Sequence, residues 1–122
     1  MAKLLDLSTY ADERGRLTVI EKVFPFAIKR VFYIYAVDTS VRGMHRHKKT
    51  RQAAVAIQGS CVIYSVNAKD SPAERYQLDE PSKCLIIQPN DFHWMQDFTP
   101  DCILMVFASE YFDPSDYIYE SY

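Results

Sequence analysis

No stretch of this chain sustains the i, i+3, i+4, i+7 apolar spacing of an amphipathic helix over three turns. Strand-forming residues arrive instead in short runs divided by turn signals: LTVIEKVF, AIKRVFYIYAV, RQAAVAIQ, SCVIYSV, CLIIQP and DCILMVFAS. Roughly eight to ten short strands of this kind predict an all-β chain closed as a small antiparallel barrel or jelly roll. With 122 residues, 48% of them apolar and 14% aromatic, the material suffices for one core, so residues 1–122 are expected to form a single domain.

Taken in order, Leu4 to Leu7 and LTVIEKVF flank the turn-prone Asp12-Glu13-Arg14-Gly15 and predict an opening hairpin. Pro25 ends that hairpin. Ala27 to Val37 predicts a strand with Arg30, Phe32 and Ile34 on one face and Val31, Tyr33 and Tyr35 on the other. Gly59 divides RQAAVAIQ from SCVIYSV as a hairpin corner would. Residues 67–83 carry two prolines and alternating charge, which reads as a trimmable loop with one weak strand around Arg75 to Leu78. PNDFH reads as a turn. The nearly continuous apolar run in DCILMVFAS predicts a strand buried on both faces. The acidic, aromatic tail predicts one helical turn after Pro114.

Fourteen Lys and Arg against sixteen Asp and Glu give a formal charge of −2, without the basic field that nonspecific nucleic-acid binding needs. An anionic ligand would have to be met by local arginines. Cys61, Cys84 and Cys102 are odd in number and far apart, and predict reduced core thiols rather than a disulfide framework. No apolar run approaches the ~20 residues of a membrane span, and MAKLLDLSTYADERG has no leader-like apolar stretch. The expectation is a cytoplasmic protein with no nucleic-acid or membrane partner.

His45 and His47 stand two residues apart in RGMHRHK. In a strand, side chains at i and i+2 share a face about 7 Å apart, so both imidazoles can enter one interior. Such a pair can ligate a metal or carry protons near neutral pH. Spacing alone leaves both open.

The order Gly43-x-His45-x-His47, Gln52, Gly59 and then Pro89-Asn90-Asp91-Phe92-His93 resembles the two motifs of the cupin superfamily. Metal-binding cupins carry a glutamate where Gln52 stands, and a neutral amide is a poorer ligand for a divalent ion. A closer resemblance covers almost the whole chain. DERGRLTVIE, PFAIKRVFYIY, RGMHRHKKTRQ, QGSCVIYSV and DFTPDCILMVFASEYFDPSDYI together resemble the cupin-shaped sugar 3,4-ketoisomerases that act on dTDP-4-keto-6-deoxyglucose. That resemblance implies a metal-free and cofactor-free isomerase making a dTDP-3-keto-6-deoxyhexose for amino sugars of bacterial surface glycans. It also implies His45 as the base at C3, with His47 handling the proton or oxygen at C4. Tyr33 is then the first choice for an assisting hydroxyl and Tyr35 the second.

Arg14, Arg30, Arg42 and Arg51 all lie in the matching stretches and could supply the guanidinium forks that a diphosphate requires. Gln52 and His93 complete the expected substrate-binding set, with Gln52 placed to orient an imidazole if it faces inward. A homodimer paired near the N-terminus is expected, because LTVIEKVF is costly to leave as a bare edge. Two competing readings follow from the same residues. One is a metal-dependent cupin oxygenase using His45, His47 and His93; the other is a noncatalytic nucleotide-sugar-binding cupin.

Overall fold

A computed structural model describes all 122 residues. Its strands are β1 (Lys3–Asp6), β2 (Ser8–Asp12), β3 (Gly15–Val19), β4 (Arg30–Ile34), β5 (Arg42–His47), β6 (Gln52–Gln58), β7 (Cys61–Val66), β8 (Glu74–Leu78), β9 (Lys83–Ile87), β10 (Phe92–Gln96), β11 (Ile103–Ala108) and β12 (Tyr117–Ile118). The only helical element is a 3-10 turn at Pro114–Asp116. No helix is long and apolar enough to cross a membrane.

The strands form two five-stranded antiparallel sheets, ordered β1-β9-β6-β11-β4 and β12-β5-β10-β7-β8, with β2-β3 as a separate ribbon. Between the two sheets lies the main core. Ala54, Ala56, Leu85, Ile87, Leu104 and Val106 from the first sheet meet Cys61, Ile63, Leu78 and Met95 from the second. The first sheet is buried on its outer face too. There Ala53, Val55, Cys84, Ile86 and Phe107 are covered by Ile20, Phe24 and Phe26 from the stretch after β3. Burial on both faces explains why β6, β9 and β11 read as nearly continuous apolar runs. The jelly-roll expectation, the doubly buried strand and the turn after Pro114 all hold.

Three local expectations change. Gly59 does not close a hairpin: β6 pairs with β9 and β11, whereas β7 pairs with β10 and β8, so the glycine turns the chain from one sheet to the other. The stretch read as a trimmable loop holds β8, whose Leu78 is fully buried in the main core. PNDFH is a turn only as far as Asp91, and Phe92 opens β10, which lies at the centre of the second sheet.

The β2-β3 ribbon joins neither sheet, and all of β2 is exposed. Its cross-strand pair Tyr10 and Leu17 is 66% and 60% exposed. The turn at Asp12 to Gly15 is where the sequence predicts it, but the first arm of the hairpin is β2, whereas Leu4 and Leu5 of the expected arm pair with β9; the second arm stops at Val19 and the remainder of LTVIEKVF leaves to cover the first sheet.

Candidate active site

Strand β5 places His45 and His47 on one face, and β10 beside it brings His93 into register with His45. The strands are locally irregular here, with a register shift between His93 and Trp94 opposite Gly43. Gly43 has φ +92°, and a Cβ on it would lie 3.1 Å from the His93 carbonyl oxygen. A side chain at this position would therefore push β5 away from β10 and disturb the histidines.

The three imidazoles form one cluster. The ring centroid of His45 lies 4.9 Å from that of His47 and 4.8 Å from that of His93. Each ring is oriented through Nδ1. His45 Nδ1 donates to the Gly43 carbonyl at 2.9 Å, and His93 Nδ1 donates to the Asp91 carbonyl at 3.0 Å. His47 Nδ1 donates to Asp116 Oδ2 at 3.1 Å, with both residues buried. With each Nδ1 committed as a donor, the Nε2 lone pairs of the neutral rings remain available. His47 Nε2 and His93 Nε2 are buried and have no protein partner.

The cavity beside them measures about 160 Å³ and is lined by Phe32, Ile34, Arg42, Gly43, His45, Gln52, His93, Met95 and Tyr117; His45 and His93 border it, and His47 does not. Pockets that enclose a whole drug-sized ligand are ~300–1,000 Å³. This one suits the reacting end of a larger molecule, such as one sugar ring.

Burial disfavours the charged form of all three histidines. It lowers His45, and it holds His93 down at about 3. His47 is lowered to about 4 by burial and by the neighbouring His45, although Asp116 pulls the other way. Burial pushes Asp116 upward, but hydrogen bonds from Thr50, the Lys49 amide and His47 outweigh it and keep the carboxyl below its ordinary range. At neutral pH the cluster is thus uncharged imidazole backed by one carboxylate, able to accept protons.

The expected site residues divide by strand parity. Arg30 is on the inner face of β4, its guanidinium 5.2 Å from the Phe32 ring and 5.6 Å from Phe112, with a buried Nε that has no partner. Arg42, Gln52, His45 and His93 line the cavity. Tyr33 and Tyr35, expected to assist, stand outside it. Phe32 and Ile34 point inward, so the intervening and following tyrosines project outward at 59% and 63% exposure. Arg51 is likewise excluded from the cavity because its neighbour Gln52 points in; its guanidinium donates to the Pro25 carbonyl instead. Arg14 lies at the ribbon turn, paired with Asp12 and distant from the histidines within this protomer.

Two residues that the sequence reading missed complete the site. Tyr117 packs on His45 and His47, with ring centroids at 4.8 and 4.6 Å, and Asp116 anchors His47. Tyr117 opens β12, which pairs with β5 so that Tyr117 faces His47, and Asp116 ends the 3-10 turn just before it.

One ring nitrogen from each of His45, His47 and His93 lies within 4.8 Å of the others, so the three could also ligate a divalent cation. The Nδ1 contacts would suit that role, since ligating histidines usually donate their other nitrogen to a carbonyl or carboxylate.

The family described as FdtA, WxcM-like, C-terminal matches residues 1–122. The chain is 40% identical over 121 residues to the TDP-4-oxo-6-deoxy-α-D-glucose-3,4-oxoisomerase of Aneurinibacillus thermoaerophilus, covering 95% of this chain and 84% of that protein. The 3,4-ketoisomerase QdtA of Thermoanaerobacterium thermosaccharolyticum, solved as a mutant with TDP-4-keto-6-deoxyglucose, superposes with a TM-score of 0.91 at 40% identity, over 98% of this chain and 87% of that one. The WlaRB TDP-quinovose 3,4-ketoisomerase of Campylobacter jejuni gives 0.91 at 36% identity, over 98% and 92%.

Proposed function

This chain belongs to the FdtA family of sugar 3,4-ketoisomerases, and from that premise we propose that it isomerises a TDP-4-keto-6-deoxyhexose to its 3-keto form by proton transfer among the cavity imidazoles. The observation that carries the reading is the cluster of neutral histidines oriented through Nδ1, two of which, His45 and His93, line a cavity of sugar-ring size. A base takes the proton from C3, and the C3–H electron pair becomes the C3–C4 double bond of an enediolate whose charge rests on O4. O4 then gains a proton, O3–H loses one, and protonation of C4 leaves the carbonyl at C3. Atoms balance without an external oxidant or reductant.

Resemblance assigns the C3 proton to His45, which lines the cavity. His47 does not line it, and it is the member whose imidazolium would be paired with Asp116, whereas His45 has only a carbonyl behind it. His47 then holds a proton in transit beside His45, and Tyr117 takes the hydroxyl role first expected of Tyr33. A C3 carbonyl is the form that amino transfer at C3 requires, consistent with a place in amino-sugar synthesis in the cytoplasm. Incubation with TDP-4-keto-6-deoxyglucose should yield a 3-keto product by proton NMR. Unchanged substrate would leave the noncatalytic binding reading.

Arg30 and Arg42 are the cationic groups nearest the cavity, and we assign them to the charged part of the substrate. Arg30→Ala is expected to weaken TDP binding by roughly tenfold or more, because a charge-assisted contact to phosphate contributes ~1.5–3 kcal/mol. Isothermal titration calorimetry checks this; unchanged affinity in Arg30→Ala and Arg42→Ala would move the diphosphate elsewhere.

The metal-dependent reading rests on the same three imidazoles. Activity that survives exhaustive chelation would exclude it, and activity restored only by a metal would favour it.

The partner of the exposed ribbon is a second copy of the chain. Tyr10 and Leu17 on the ribbon, and Val31 and Tyr33 on the outward side of edge strand β4, leave apolar surface that twofold pairing would cover. Such exchange could also bring Arg14 near a partner's cavity. Light scattering should give twice the 14.2 kDa chain mass. A mass of one chain, unchanged on concentrating, would contradict the dimer.

A further inference from the structure

Asp116 is the more heavily hydrogen-bonded of the two buried carboxylates, Asp91 and Asp116. Its Oδ1 accepts the Lys49 amide at 2.8 Å, and its Oδ2 accepts both the Thr50 hydroxyl and His47 Nδ1. The residue is 3% exposed, as is Thr50, and His47 is 1% exposed. Its backbone is fixed as well: the Asp116 carbonyl accepts the Lys48 amide at 2.9 Å, and its amide donates to the Asp113 carbonyl at 3.0 Å. Asp113 caps the turn by accepting from the Ser115 amide, and Pro114 starts it. Two backbone and three side-chain contacts hold a negative charge behind one imidazole of the cluster. No comparable carboxylate stands behind His45 or His93, whose Nδ1 atoms meet only carbonyls.

We infer that Asp116 is a positioning residue for the isomerisation, fixing His47 as its Nδ1–H tautomer so that Nε2 is left to accept a proton within the cluster, and pairing with the imidazolium that results. The inference rests on the isomerase reading above. Its physical basis is that an ionised carboxylate can only accept, so the proton of neutral His47 must reside on Nδ1. Arrival of a proton at Nε2 then creates a cation beside an anion already desolvated and hydrogen-bonded, with little further rearrangement. The Thr50 hydroxyl shares Oδ2 and moderates how strongly that oxygen attracts the imidazolium.

Asp116→Asn separates this role from mere support. The Lys49 amide is a donor and demands the Asn oxygen, which leaves the Asn NH₂ at the Oδ2 position, facing His47 Nδ1. Thr50 can rotate its hydroxyl to accept, but His47 can respond only by accepting at Nδ1 and carrying its proton on Nε2. The expected result is a fall in kcat of about 10²-fold or more with KM within about threefold. Histidine ¹⁵N NMR should report Nδ1–H for His47 in the wild type and Nε2–H in the variant.

Wild-type His47 in the Nε2–H form would overturn the inference, whether or not the variant folds. It would also be overturned by an Asp116→Asn enzyme with kcat within threefold of wild type, or by lost activity with the tautomer unchanged. A wild-type protein without turnover would instead overturn the isomerase reading, and the wild-type tautomer would still be measurable.

Discussion

His47→Asn is expected to fold and to lose about 10²-fold or more in kcat, the scale of a general acid or base removed from its transition state. The amide keeps a polar group that Asp116 can bind, so the buried carboxylate is not left alone. It carries no exchangeable proton in the useful pH range. His45→Asn should also lose turnover, by a smaller factor if His47 is the group that holds the charge, because His45 is backed only by the Gly43 carbonyl. Steady-state kinetics on both variants, with circular dichroism to verify folding, checks this. Wild-type rates in both would remove the imidazoles from the chemistry.

Gly59→Ala should be among the most damaging single-methyl changes to the fold. Gly59 has φ +66°, where an L residue is strained. A Cβ there would sit 2.6 Å from Asp101 Oδ1 and 2.8 Å from the Cys102 Cα, and would also collide with the Thr99 hydroxyl. The backbone cannot yield cheaply on that side. Ser60 and Thr99 exchange hydrogen bonds, with the Thr99 amide donating to the Ser60 carbonyl at 2.9 Å, and this contact ties the sheet-crossing corner to the loop before β11. Positive φ costs ~1–3 kcal/mol and overpacking typically another 1–3. A loss of roughly 2–5 kcal/mol is therefore expected by urea denaturation, and a change below 1 kcal/mol would mean that the corner relaxes freely.

Much of the site was legible because parity along a strand is a strong constraint. His45 and His47 had to share a face whichever face was inside, and Arg30 had to share one with Phe32 and Ile34. The same rule carried a warning that remained unused. Arg51 and Gln52 are neighbours at the entry to β6, and Tyr33 alternates with Phe32, so neither pair could enter the cavity together. Choosing the inner member required knowing which face met the other sheet, and β6 and β11 are apolar on both faces.

Strand β10 was hidden for a different reason. FHWMQ follows the turn signal PND and mixes polar with apolar residues, because it runs through the second sheet with His93 against the cavity and Trp94 stacked on Tyr64. The β6-to-β7 corner resembled a hairpin because Gly59 has the positive φ of a tight turn, while partner choice depends on distant strands. Asp116 could not be found locally at all. It lies 69 residues from His47. Its only sequence signal was the Asp-Pro-Ser-Asp turn that seats it, which marks a bend but not what the bend touches.

The most direct test of the central claim is to follow the ring protons of TDP-4-keto-6-deoxyglucose by NMR while the enzyme acts in deuterated water. A two-histidine transfer predicts a 3-keto product in which the C3 proton is gone, C4 carries solvent deuterium and the C5 proton is untouched. A substrate that stays 4-keto while exchanging its C3 or C5 proton would contradict the account.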